Sequence, residues 1–252
     1  MGSASKAESF LTGYPVLPPP LRRPVVFDQV WRDVTFVHWP VEPGSVAHLF
    51  PAGTRPDVFA DGRTYVALVP FVMDGIRLGR APSPRIPWLG SFLETNIRLY
   101  SVDDEGRHGV LFRSLETQRL LVVPAARLGL GIPYTWARLS LRRDGDVVTY
   151  TSRRRMPDRG LSSVLSVRVG EPVAPSPLET WLTARWGAHT RVAGHTVWVP
   201  NEHEPWPLRT AEVLDLRDDL LGASGARPTG EPLRGLFSEG VATRFGRPSL
   251  VA

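Results

Sequence analysis

Residues 92–102 alternate strictly in character, and a period of two marks an extended strand rather than a helix. Asp103-Asp104-Glu105-Gly106 follows as a turn, and residues 109–114 then read as the hairpin partner. Other short runs repeat the pattern. Residues 34–39 read as a strand closed by Pro40, and residues 195–199 as another. Residues 65–73 form a buried strand in which Pro70 disfavours central pairing or marks a bulge. Residues 136–141 and 147–152 flank Asp144-Gly145, a dipeptide suited to a two-residue hairpin turn. Helical spacing is confined to two places. One is residues 116–128, where Pro124 kinks or bounds the helix; the other is residues 178–186, after Pro177 and closed by Gly187. With 25 prolines and 23 glycines in 252 residues, short strands are favoured over long helices. The expected class is α+β, a curved, largely closed antiparallel sheet with a few outer helices. Residues 1–24 read as a flexible Pro-rich arm. Residues 25–252 read as one domain, loosely packed from about Gly222 onward.

Several chemistries are excluded or disfavoured by what the chain lacks. It has no cysteine, so disulfides and thiolate sites are absent. Lys6 is the only lysine among 30 lysines and arginines, and it lies in the arm. The arginines are scattered; the only tight run is Arg153-Arg154-Arg155, so nucleic acid is not an expected partner. No stretch approaches the ~20 apolar residues of a membrane span and no signal-peptide core opens the chain, so a cytoplasmic location is expected. Phosphate-loop, dinucleotide and nucleophile-elbow motifs are missing, and no cofactor is expected. The six histidines show no metal-binding spacing. His38 and His203, each beside tryptophan and proline, suit a rigid rim; a metal held by both and a carboxylate is the one metal arrangement left open.

The strand at 92–102 holds the most chemistry. Glu94, Asn96, Arg98 and Tyr100 share one face, with Thr95, Ile97 and Leu99 on the other. Alternation alone fits a half-buried strand whose polar face meets water. The alternative is a cavity lining in which Arg98 neutralises Glu94 and offers its fork to a carboxylate. If the hairpin register brings Ser114 and Glu116 to the same face, a second carboxylate joins the site and raises one pKa.

Several strings, in order, resemble the YqjF-like bacterial family of uncharacterised proteins. They include Phe36-Val37-His38-Trp39-Pro40-Val41, the alternate positions Phe92, Glu94, Asn96, Arg98 and Tyr100, and Gly109-Val110 with Phe112 and Ser114-Leu115. Ala126-Arg127 with Pro133-Tyr134, and Leu178-Glu179 with Leu182-Thr183 and Arg185, continue the set. The family is similar in turn to the acetoacetate decarboxylase-like superfamily. That resemblance implies one curved sheet closed around a pocket, with the Glu94–Tyr100 face inside. It also implies a comparison with a Gly-Arg-Glu, spacer, Pro-Lys-Lys motif whose buried lysine forms a Schiff base. Here Ala126-Arg127-Leu128 and Pro133-Tyr134-Thr135 stand in its place, so both lysines are gone.

The site expected on these grounds uses Glu94, Arg98 and Tyr134 for acid–base chemistry. Asn96, Tyr100, Ser114, Glu116, Arg127 and His38 contact the ligand, and no metal takes part. The ligand is a small carbonyl- or carboxylate-bearing molecule, and a homo-oligomer remains open. Isomerisation, cyclisation or hydration fits better than covalent amine catalysis. The alternative is a non-catalytic interaction module that uses the arm and an aromatic rim of Trp39, Trp88 and Trp206.

Overall fold

The computed structural model describes residues 2–22, 24–79, 90–120 and 122–251. Among the described residues, thirteen strands all join one sheet. They are β1 (Phe27–Val41), β2 (Thr54–Pro56), β3 (Thr64–Leu78), β4 (Ser91–Asp103), β5 (His108–Thr117), β6 (Tyr134–Asp144) and β7 (Val147–Met156). Then follow β8 (Ser162–Pro172), β9 (Gly187–Val192), β10 (His195–His203), β11 (Leu208–Asp218), β12 (Gly235–Phe245) and β13 (Ser249–Leu250). Among the described residues no helix is long and apolar enough to cross a membrane.

The sheet curls back on itself twice. Pairing runs β12–β1–β3–β4–β5–β9–β10 and returns to β12, and a second circuit runs β5–β6–β7–β8–β11–β12 and returns through β1, β3 and β4. Strands β12, β1, β3, β4 and β5 are therefore a shared wall with a core on each face. On one face Phe36, Val69, Phe71 and Tyr100 pack with Trp181 of the helix Pro177–Thr183. On the other, Val37, Leu68, Ile97 and Leu99 pack with Val148, Leu165 and Val167 of β7 and β8. Both faces of β4 are dry, so its polar face is not the wet side of a half-buried strand.

The expected strands form, most of them longer than their apolar runs. Strand β1 continues through Pro40 to Val41. Pro70 pairs in register with Thr95 of β4, but it falls where the β1–β3 register breaks, between Arg32↔Val72 and Val37↔Leu68. A residue without an N–H removes a ladder bond, and the irregularity absorbs it. The β6–β7 turn is Gly145-Asp146, one residue later than expected, with Gly145 at φ 60°. That positive φ at the first turn position fits a type II′ hairpin.

Two pairings, β5–β6 and β5–β9, are parallel within the otherwise antiparallel sheet. A parallel neighbour needs a crossover, and the helix Val122–Leu130 supplies it between β5 and β6. This is the helix expected at residues 116–128. Residues 116 and 117 belong to β5, and Pro124 lies in its first turn, where a missing N–H costs little. The helix expected at residues 178–186 spans Pro177–Thr183, opened by a Ser176–Glu179 capping box; Gly187 begins β9.

Both chain ends correct the sequence reading. The arm holds the helix Gly2–Leu11, in which Lys6 lies, and it docks through aromatics. Phe10 meets Phe59 edge-on at 5.1 Å, and the Tyr14 hydroxyl donates to the Ala184 carbonyl at 2.9 Å. The C-terminal stretch supplies β12, where Leu236, Phe237 and Ser238 are fully buried between β1 and β11.

Candidate functional site

The cavity opens on the first core face and has a volume of about 220 Å³. Strand β4 places Glu94, Asn96 and Arg98 along its wall, and Tyr134 enters from β6. The parallel register explains that entry: Tyr134 lies beside Leu115 of β5, which itself pairs with Asn96. The Tyr134 hydroxyl donates to Glu94 Oε1 at 2.5 Å. Glu94 is 1% exposed, and burial pushes its carboxyl up to about 8, against the lowering effect of the Tyr134 bond. Tyr134 is raised well above the usual phenol range by burial and by the carboxyl beside it. At neutral pH both groups hold their protons.

Arg98 and Glu94 do not pair, contrary to the expectation. The Arg98 guanidinium lies 5.5 Å from the centre of the Phe36 ring and 5.7 Å from that of Tyr100. Its Nε is buried with no hydrogen-bond partner, and the group has no carboxylate within 4 Å among the described residues. Asn96 Oδ1, Trp31 Nε1 and Asn201 Oδ1, all on lining residues, are likewise buried and unpartnered. Buried polar atoms are nearly always hydrogen-bonded in proteins, so orphans gathered on one cavity mark a place where something else supplies the bonds.

Several expected residues lie elsewhere. The β4–β5 register shifts between Ile97↔Ser114 and Arg98↔Phe112, leaving Arg113 without a partner. One extra residue reverses the face of everything beyond it. Phe112 faces the cavity, while Ser114 and Glu116 face the second core. There Glu116, fully buried, accepts from Arg154 Nη2 at 2.5 Å and from Thr135 Oγ1 at 2.6 Å. The pocket thus holds no second carboxylate from β5. Tyr134 and Thr135, standing where the resembling decarboxylases carry two lysines, point to opposite cores.

Arg127 is exposed and donates to the Tyr134 carbonyl at 2.6 Å; it braces the strand rather than the ligand space. Tyr100 and His38 are buried behind the lining, 6.0 Å apart between ring centres. Burial and the nearby Arg98 and Arg185 hold His38 well below the usual imidazole range. Trp39 lies in the second core and Trp206 lines the cavity, stacked on Trp31 at 5.8 Å, so neither forms a surface rim. Trp88 lies outside the described residues.

The reading from sequence missed Arg185, Asn201 and Gln29, and it placed His203 on a rim rather than in the lining. Arg185 follows the helix Pro177–Thr183; its Nε donates to the Trp181 carbonyl at 2.9 Å and its Nη1 bonds Asp57. Its Nη2 is buried and unpartnered. His203 Nδ1 donates to the Glu204 carbonyl at 2.7 Å, and burial lowers the ring to about 4. The neutral ring offers Nε2 as an acceptor. No periodicity announces Arg185, Asn201 and His203, because they reach the cavity only through the closure of β9 and β10 onto β5 and β12. The Leu182-Thr183…Arg185 string was the one trace of Arg185.

Two other constellations carry no site. Ser101, His189 and Asp103 form a relay of 2.8 and 3.0 Å, but all three are fully buried away from the cavity, and Asp103 also binds Arg107. Among the described residues no three His, Asp or Glu side chains gather to hold a metal.

Comparison with known proteins places this architecture. Residues 28–242 match the DUF2071 family, described as an uncharacterized conserved protein. The chain belongs to that family. The uncharacterized protein YqjF of Bacillus subtilis (strain 168) is 28% identical over 211 residues, covering 82% of this chain and 86% of YqjF. Among solved structures, the enduracididine biosynthesis enzyme MppR complexed with pyruvate matches with a TM-score of 0.65 at 14% identity, covering 92% of each chain. Acetoacetate decarboxylase from Legionella pneumophila matches with a TM-score of 0.64 at 10% identity, covering 94% of this chain and 92% of that one. At these identities the family member shares the fold of acetoacetate decarboxylase-like enzymes.

Proposed function

We propose that the cavity binds a small carboxylate-bearing metabolite, with a 2-oxo acid as the simplest case, and that Glu94 exchanges a proton with it. The observation that carries this reading is the Arg98 guanidinium, which lines the cavity without a carboxylate within 4 Å while Glu94 of the same lining is held neutral. A guanidinium left without a counterion in a dry site is costly, and an anionic ligand removes that cost. Arg185 also lines this space, but its guanidinium is neutralised by Asp57 and lies 4.1 Å from the centre of the Trp181 ring, which leaves Arg98 as the anion's partner. The structure of MppR with pyruvate shows that a protein of this fold accommodates such an acid.

Glu94 is suited to proton transfer because its raised pKa of about 8 keeps a proton available near neutral pH. With Tyr134 bonded to Oε1, the carboxyl is oriented: it gives its proton to the carbonyl oxygen while a solvent water takes the proton from the adjacent carbon, so that an enol forms, and the reverse step returns both protons. Arg98 then stabilises the negative end. A Schiff base has no support, since no lysine occurs after Lys6. This favours isomerase, cyclase or hydratase chemistry over covalent amine catalysis. The interaction-module alternative is weaker, because the arm packs its aromatics inward and two of its three rim tryptophans lie inside.

The test is hydrogen–deuterium exchange at the methyl group of pyruvate, followed by NMR in deuterated buffer. Wild-type protein should accelerate exchange, and Glu94→Gln should abolish the acceleration while still binding pyruvate. No acceleration by the wild type, or equal acceleration by both, would reject Glu94 as the proton-transfer group.

A further inference from the structure

The tight basic run of the sequence is divided by strand alternation. Arg154 turns inward, 6% exposed, and is neutralised by Glu116. Arg153 and Arg155 turn outward. Arg138 of β6 is the direct cross-strand partner of Arg153, so two arginines stand opposite one another on the outer face. Like charges in that relation destabilise a sheet. The register shift between Trp136 and Ala137 leaves Arg155 unpaired in the ladder, and its guanidinium lies 5.0 Å from the centre of the Trp136 ring. The turn into β8 brings Arg159 to the same place. Together these residues line a surface cleft of about 690 Å³.

Charge in this cleft is not balanced. Among the described residues, Arg138, Arg153, Arg155 and Arg159 have no carboxylate within 4 Å. The one acid in the lining, Asp158, lies 3.7 Å from Arg154. Elsewhere on the surface, arginines commonly face acids, as Arg168 does Glu212 at 2.8 Å and Arg143 does Asp33 at 3.1 Å.

We propose that this cleft is a binding site for an oligophosphate anion, distinct from the cavity, with which it shares no lining residue. Four guanidinium groups, anchored on two paired strands and one turn, match an anion with many oxygens on adjacent centres. A single carboxylate engages one fork, whereas a diphosphate engages two or more at once. One face of the Trp136 ring is already covered by Arg155, so the phosphates rather than a stacked base are what the cleft reads. The anion also removes the Arg138–Arg153 repulsion, which couples binding to stability.

Calorimetric titration of the full chain at low ionic strength tests this, with inorganic pyrophosphate as the probe. Saturable one-to-one binding is expected, weakened about tenfold or more in an Arg138→Gln/Arg153→Gln variant. That variant should melt at a higher temperature than the wild type without ligand, which separates lost binding from lost folding. Pyrophosphate should raise the wild-type Tm and leave that of the variant unchanged. ATP should bind about as well as pyrophosphate. Absence of saturable heat, equal affinity in both proteins, or equal binding of sulfate at matched ionic strength would overturn the site. ATP binding without pyrophosphate binding would show nucleoside recognition instead. A single-stranded oligonucleotide that binds far more tightly than pyrophosphate would make the cleft a nucleic-acid surface. Either result would overturn the assignment.

Discussion

Replacing Glu94 with glutamine isolates the pH signature of the cavity. Burial raises this carboxyl from 4.5 to about 8, so the folded chain holds the proton more tightly than the unfolded one. Its stabilising contribution is complete below pH 4.5 and is lost as pH rises toward 8. Inside that window each pH unit removes about 1.4 kcal/mol. Buried His38 and His203 act with the opposite sign. Their folded values lie below 6.5, so their contribution is lost as pH falls below it. Above pH 6.5 both rings are neutral in either state, and Glu94 dominates. Between pH 6.5 and 8 the wild type should therefore lose roughly 2 kcal/mol relative to Glu94→Gln. In a chain of this size that corresponds to about 4–8 °C in Tm. Thermal unfolding of both proteins by circular dichroism across this range measures it. Parallel Tm curves would refute the buried, neutral carboxyl, and with it the proton-transfer role.

Arg154→Met should cost about 3–5 kcal/mol in urea denaturation, because it strands the buried Glu116 charge. Adding Glu116→Gln should recover most of that loss; no recovery would show that packing rather than charge was removed. Gly131 has φ 65°, and a Cβ there would lie 2.1 Å from the Arg191 carbonyl oxygen. Gly131→Ala should accordingly lower Tm well beyond Gly145→Ala, which has φ 60° but open space around it. Deleting residues 1–15 should also lower Tm, since Phe10 and Tyr14 pack on the core. An unchanged melt would return the segment to a freely flexible arm.

The strands of the fold were legible where alternation is strong. Residues 92–102 announced β4 and its two faces, because each face meets a different core. The cavity lining was legible only in part, for reasons of register. Glu94, Asn96 and Arg98 follow from period two along a single strand. Ser114 and Glu116 required knowledge of the unpaired Arg113, and nothing local in Phe112-Arg113-Ser114 signals it. Tyr134 reaches Glu94 through a parallel pairing whose partners lie far apart in sequence, and that was reached through resemblance rather than pattern. Arg185 and Asn201 depend on closure of the sheet. Strand β12 was concealed by its Gly-, Pro- and Ser-rich approach, although its own residues, Gly235 to Phe245, are ordinary buried strand. The Phe10 and Tyr14 aromatics were the missed warning that a polar arm could dock.

The central claim is that the cavity takes a carboxylate at Arg98 and performs no amine chemistry. It is tested most directly by titrating pyruvate into wild type and Arg98→Ala, then treating each mixture with borohydride before mass spectrometry. Saturable binding should occur in the wild type and weaken by about tenfold or more in Arg98→Ala, with no adduct beyond Lys6 or the terminal amine. Equal binding by the two proteins, or a trapped adduct elsewhere in the chain, would contradict the account.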